Sequence, residues 1–165
     1  MPAMNEDEAR RRFAAEPVAR LATVDEEGRP HLVPVVFAVR GPDDGGRAEI
    51  VTAVDAKPKS TQRLKRLRNI AAHPSVCLLA DAYDADWTRL WWARADGEAH
   101  VVPPGDGAAH AAAVTVLRAK YAQYADRPPT GPVILVAVRR WLGWRASPLP
   151  GPPGRWSLQR GETSE

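Results

Sequence analysis

The sequence predicts a mainly β protein with flanking helices: a closed or split β-barrel of six or so antiparallel strands and three helices. Three observations lead there. Short β-branched runs bounded by turn residues outnumber the helical stretches. They follow one another mostly as antiparallel neighbours, not in the strict strand–helix alternation of a parallel sheet. No GxGxxG motif follows any strand, which argues against a dinucleotide-binding Rossmann unit.

The elements can be justified in chain order. Asn5 is placed to cap a first helix, with Glu6, Asp7 and Glu8 suiting its positive end, and the helix should stop near Ala15, before Pro17. VARLATV (18–24) and HLVPVVFAV (31–39) then read as a hairpin turning at Gly28. Pro34 removes a ladder donor, so the second strand should be an edge or bulged there. GPDDGG (41–46) is a loop and RAEIVTAV (47–54) the third strand.

A helix is expected from about Ser60 to Ala72, with Leu64, Leu67, Ile70 and Ala71 forming one apolar stripe. SVCLLADAY (75–83) and RLWWARADGEAHVV (89–102) supply two more strands, the second bent at Asp96-Gly97. A single helix is read over 105–125, with Val114, Leu117, Tyr121 and Tyr124 on one side. Residues 131–146 form the last strand. The organisation is one domain over 1–147 with a Pro/Gly-rich tail over 148–165.

The chain of 165 residues can bury a real core, and 44% apolar with 26% charged residues is ordinary for a globular domain. Its net charge of +3 leans only slightly toward anionic partners. The single cysteine, Cys77, excludes an intrachain disulfide and reads as a buried, inert thiol. The polar N-terminus lacks the apolar centre of a signal peptide, and the longest apolar run, Val133 to Val138, is too short to span a bilayer. A cytoplasmic protein without a membrane partner is expected.

Catalytic motifs are missing. His31, His73, His100 and His110 are scattered singly, and DAYDAD (81–86) lacks the glycine and distal glutamate of a calcium loop, so no metal site is read. Ser60 and Thr61 look like helix caps, with no base placed to activate them. An enzyme of this composition would rely on a bound cofactor for its chemistry.

The conspicuous feature is VDAKPKSTQRLKRLRNI (54–70), where Lys57, Lys59, Arg63, Lys65, Arg66 and Arg68 crowd together. Lys57 and Lys59 precede a helix start at Ser60, where unpaired backbone N–H groups and the helix dipole favour an anion. Arg63 and Arg66 share a helix face and could lean toward the same ligand. An ordinary solvated helix face explains the same spacing. Nucleic acid fits less well, because no aromatics interleave with the charges.

The succession RLATVDEEGRPHLVPVVF, IVTAVDAKPKS and RLRNIAAHPSVCLLAD resembles the pyridoxamine 5'-phosphate oxidase-like split-barrel flavoproteins. DAKPK, RLKRLRNIAAHP and DADWTRLWWARADGEA resemble more narrowly the actinobacterial branch of deazaflavin (coenzyme F420)-dependent oxidoreductases. The resemblance spans roughly residues 5 to 146. It implies a homodimer with the cofactor in a groove at the subunit interface. Pro34, Val35 and Val36 would line the ring, and Thr52 would lie beside the ribityl chain. Lys57, Lys59, Ser60 and Arg66 would meet the phosphate, with Lys65-Arg66 as the alternative clamp. Trp87 and the Trp91-Trp92 pair would wall a small-molecule substrate, or simply pack the barrel and dimer.

The implied activity is F420-dependent hydride transfer to or from an unidentified small molecule. FMN shares the ring and phosphate and stands as the alternative cofactor, with pyridoxamine phosphate oxidase activity further off. A non-catalytic binder of F420, flavin or haem is the reading from a different class.

Overall fold

The computed structural model describes residues 3–41, 47–54 and 61–147. Seven antiparallel strands form one sheet in the order β2-β1-β5-β6-β7-β4-β3. In chain order the elements are α1 (Glu6–Ala15), β1 (Ala19–Val24), β2 (Pro30–Val35), β3 (Ala38–Arg40), β4 (Glu49–Ala53), α2 (Thr61–Ala72) and β5 (Ser75–Ala82). A short 3-10 turn at Trp87–Arg89 leads into β6 (Trp91–Val102), α3 (Gly107–Lys120), α4 (Ala122–Asp126) and β7 (Val133–Arg145).

The topology itself bends the sheet. β2 and β3 are its opposite edges, yet only Val36 and Phe37 separate them in the chain. Val35 and Ala38 are three Cα steps apart, at most about 11 Å. Seven strands laid flat would hold the two edges several times farther apart. The sheet therefore has to roll until its edges meet at Val36–Phe37. No ladder joins β2 to β3 among the described residues, so the result is a split barrel.

Local chemistry sets the parts. Asn5 Oδ1 accepts the Glu8 N–H at 2.8 Å and caps α1 as expected. The β1–β2 hairpin turns through Gly28 at φ 80°, with Asp25 Oδ1 accepting from Glu27 N and Arg29 N. Pro34 lies on an edge strand, as its missing donor requires. The long β6–β7 ribbon shifts register between Asp96 and Gly97. A Cβ at Gly97 would stand 2.3 Å from the Ala137 carbonyl oxygen, so only glycine permits that approach.

Two apolar clusters flank the sheet. Inside the barrel, α1 buries Ala9 and Phe13, and the Phe13 ring lies 4.7 Å from Phe37 and 5.2 Å from Trp141. Complete burial of each such ring stabilises the fold by about 1.5–3 kcal/mol. Outside it, α3 buries Ala113 and Leu117 against Val51, Val133 and Leu135.

Several expectations are corrected. The expected strand over 31–39 is two strands, broken where the chain crosses from one sheet edge to the other. The expected helix over 105–125 breaks at Tyr121, whose backbone is extended. Ala71, expected on the apolar stripe of α2, is exposed, whereas Asn69 and Ile70 are buried. Asn69 is tolerated inside because its amide donates to Thr23 Oγ1 at 3.1 Å. Cys77 is only half-buried: strand alternation turns it to the face opposite Val76 and Leu78, and burial raises its thiol pKa.

Candidate functional site

The site begins at the seam. Val36 and Phe37 cannot use a sheet ladder, so their backbone groups find side-chain partners. The hydroxyl of Thr52, on β4, donates to the Val36 carbonyl at 2.8 Å. The Tyr121 hydroxyl accepts from the Phe37 N–H at 3.0 Å and lies 2.7 Å from the Phe37 carbonyl. These bonds fix the turn between the edge strands.

Beside the seam lies an open cavity of about 280 Å3, lined by Val18, Pro34, Val35, Val36, Ala53, Val54, Arg66 and Tyr124. Its floor is aliphatic, and among the described residues its polar side chains are those of Arg66 and Tyr124. A second concavity of about 290 Å3, against α1 and β3, is walled by Asp7, Arg10 and Arg11 and lacks such a floor. An aromatic ring system suits the first, because ligand sites combine apolar walls with a few placed polar groups.

The positive charge of α2 reaches this end of the barrel. Burial first, and then the charges of Lys65 and Arg66, hold the His31 imidazole on β2 below its ordinary pKa. The Lys65 and Arg66 share of that effect favours an anion.

The structure brings Pro34, Val35, Val36 and Arg66 to one cavity. Thr52 is nearby but wholly buried, its hydroxyl committed to Val36, so it shapes the wall from behind. Lys57, Lys59 and Ser60 lie outside the described residues. Trp87 and Trp91 do not line the cavity. Trp87 is 78% exposed, whereas Trp91 packs against the barrel core with the Arg12 guanidinium 5.6 Å from its ring. In DAYDAD, Asp86 caps the 3-10 turn through Thr88 and Asp84 accepts the Asp86 N–H. Sequence reasoning missed Val18, Ala53, Val54 and Tyr124. Tyr124 had a signal: two tyrosines three apart in an alanine-rich helix are amphipathic side chains whose hydroxyls want partners.

A rolled antiparallel sheet whose edges meet at an apolar cavity beside a basic helix defines a split-barrel protein. The chain belongs to the pyridoxamine 5'-phosphate oxidase family, whose model matches residues 6–145. No curated protein sequence matches significantly. Among solved structures, the chain is similar to the conserved hypothetical protein Rv2991 of Mycobacterium tuberculosis, with 21% identity, TM-score 0.67, and coverage of 93% of this chain and 94% of that one. It is also similar to an FAD-binding protein of Mycobacterium smegmatis, at 17% identity and TM-score 0.58, covering 88% and 98%. An FAD-binding protein of Mesorhizobium loti matches at 17% identity and TM-score 0.59, covering 86% and 93%. Likeness at these identities speaks for the fold alone.

Proposed function

We propose that the protein is an oxidoreductase that holds a flavin-type cofactor at the seam, with coenzyme F420 as the cofactor and a small molecule as the hydride partner. The observation that carries this reading is the cavity, where Pro34, Val35 and Val36 form an aliphatic floor and Arg66 supplies a cation. At about 280 Å3 it accommodates a ring system but not a whole cofactor, whose phosphate and tail would extend outward. Among the described residues β2 pairs only with β1, which leaves its outer backbone edge for a ligand's polar ring atoms. Arg66 would meet the phosphate, with Lys57, Lys59 and Ser60 as further contacts.

When bound, a deazaflavin or flavin supplies the two-electron chemistry. The chain's own residues do the rest: Pro34–Val36 orient the ring, Val18 and Val54 exclude water, and Arg66 balances charge. The acidic tail of F420 suits the basic stretch better than an uncharged extension would. A cytoplasmic homodimer completes the proposal. Leu32, 66% exposed on the edge strand, and Val18 offer apolar contacts for a second copy beside the cavity. Trp87 would reach a substrate across that interface, while Trp91 packs its own chain.

FMN is the second reading, and the FAD-binding proteins that share the fold support a flavin in place of a deazaflavin. Parallel titrations with F420 and FMN, read by fluorescence, separate the two. F420 should bind near micromolar or tighter, a common range for specific small-ligand sites. Binding of FMN alone would move the assignment to FMN, and oxidation of reduced cofactor by a panel of small acceptors distinguishes an enzyme from a carrier.

A further inference from the structure

Lys120 and Tyr121, where α3 breaks, belong to no motif. The Lys120 ammonium is partly buried, donating to the Glu16 carbonyl at 2.7 Å and the Ala14 carbonyl at 3.1 Å. It also lies 3.8 Å from the centre of the Phe37 ring. Ala14 and Glu16 end α1, where carbonyls lack helical donors and the dipole favours a cation. The neighbouring Tyr121 hydroxyl lies 2.8 Å from the Pro17 carbonyl in addition to its two contacts with Phe37. Its single proton serves one of those carbonyls at a time.

Four chain segments therefore meet at this dipeptide: the end of α1, the link into β1, the seam, and the α3–α4 junction. Three of them carry walls of the cavity. Val18 follows Pro17, Val36 precedes Phe37, and the Tyr124 ring stands edge-on to Tyr121 at 5.9 Å.

We propose that Lys120 and Tyr121 are positioning residues of the seam cavity: they hold its Val18 and Val36 walls together. The effect on a ligand rests on the cavity being the cofactor site; the clamp itself does not. Burial lowers the Lys120 pKa from 10.5 to about 8, with Glu16 opposing. Glu16 is in turn raised by burial and by Asp81 on β5, and lowered by Lys120 and by Arg20 on β1. Tyr121, raised by burial and lowered by its bond to Phe37, is the remaining titratable neighbour. Two carbonyls and the Phe37 ring hold the ammonium in place against that burial cost.

Amide exchange of Phe37 in the ligand-free full chain, expressed as a protection factor at about pH 7.5, tests the clamp. Protection should fall about tenfold or more in Tyr121→Phe, which removes the acceptor of the Phe37 N–H, and about threefold or more in Lys120→Met, while amides of the β5–β6 ladder keep theirs. FMN serves as the ligand probe: its affinity should fall about fivefold or more in both variants. Unchanged Phe37 protection in either variant would overturn the proposal. Should Lys120→Met not fold, Lys120→Gln takes its place with the same two outcomes. Failure of FMN and F420 to bind the wild type would refute the cofactor assignment, while the exchange measurements still judge the clamp.

Discussion

Replacing Thr52 by valine keeps the side chain's shape and removes one hydroxyl. Thr52 is 0% exposed, and that hydroxyl donates at 2.8 Å to the carbonyl of Val36, at the crossing between the sheet's two edges. Valine cannot donate, and Val36 lies between the two edge strands with no ladder to take over. Leaving a part-buried acceptor unsatisfied costs toward the lower end of about 1–3 kcal/mol, and the added methyl returns only roughly a few tenths of a kcal/mol where Thr52 is already enclosed. A net loss of about 1–2 kcal/mol is expected. Urea denaturation checks it: the midpoint should fall by about 0.5–1 M with an unchanged slope. Equal or higher stability in Thr52→Val would show that the seam does not depend on this bond, and would undercut the description of Thr52 as the wall's support.

Other perturbations probe the site and the sheet. Arg66→Met should weaken FMN binding about ten- to a hundredfold, as loss of a charge-assisted phosphate contact implies, while riboflavin, which lacks the phosphate, is little affected. The double change Lys57→Ala with Lys59→Ala should also weaken FMN, with a loss that shrinks at higher salt in the same titration. Gly97→Ala forces a Cβ to within 2.3 Å of a backbone oxygen, so thermal melts should show destabilisation by about 2 kcal/mol or more. Burial alone would raise the Asp96 pKa, but its bonds from Arg94 and Arg140 prevail and lower it. Its contribution is thus present above the unfolded carboxylate pKa and lost as pH falls through the folded one. Asp96→Asn should be less stable than the wild type at pH 7, with the gap closing in strong acid.

Local signals wrote much of the fold into the sequence. The Asn5 cap, the Gly28 turn, the edge position of Pro34 and the bend at Asp96-Gly97 each depend on a residue's own backbone preference, and each is found in place. The seam was not legible, because VVFAV is β-prone throughout and its break arises from strand order, a non-local property. The break in α3 escaped for the same reason: AKYAQYA favours helix, and Tyr121 leaves it to bond Phe37 and Pro17. The family resemblance named Pro34, Val35 and Val36, which the structure brings to one cavity, and set Thr52 beside the ribityl chain, where the structure shows its hydroxyl bonded to the Val36 carbonyl. Asn69 reads as polar surface in one dimension, and only the partner on β1 makes its burial sensible.

The most direct measurement is a crystal structure of the protein grown with F420. The expected result is the deazaflavin ring against Pro34, Val35 and Val36, with its phosphate within hydrogen-bonding reach of Arg66. A saturated crystal with the cofactor bound elsewhere, or with the phosphate directed away from α2, would contradict the assignment of the seam cavity as the cofactor site.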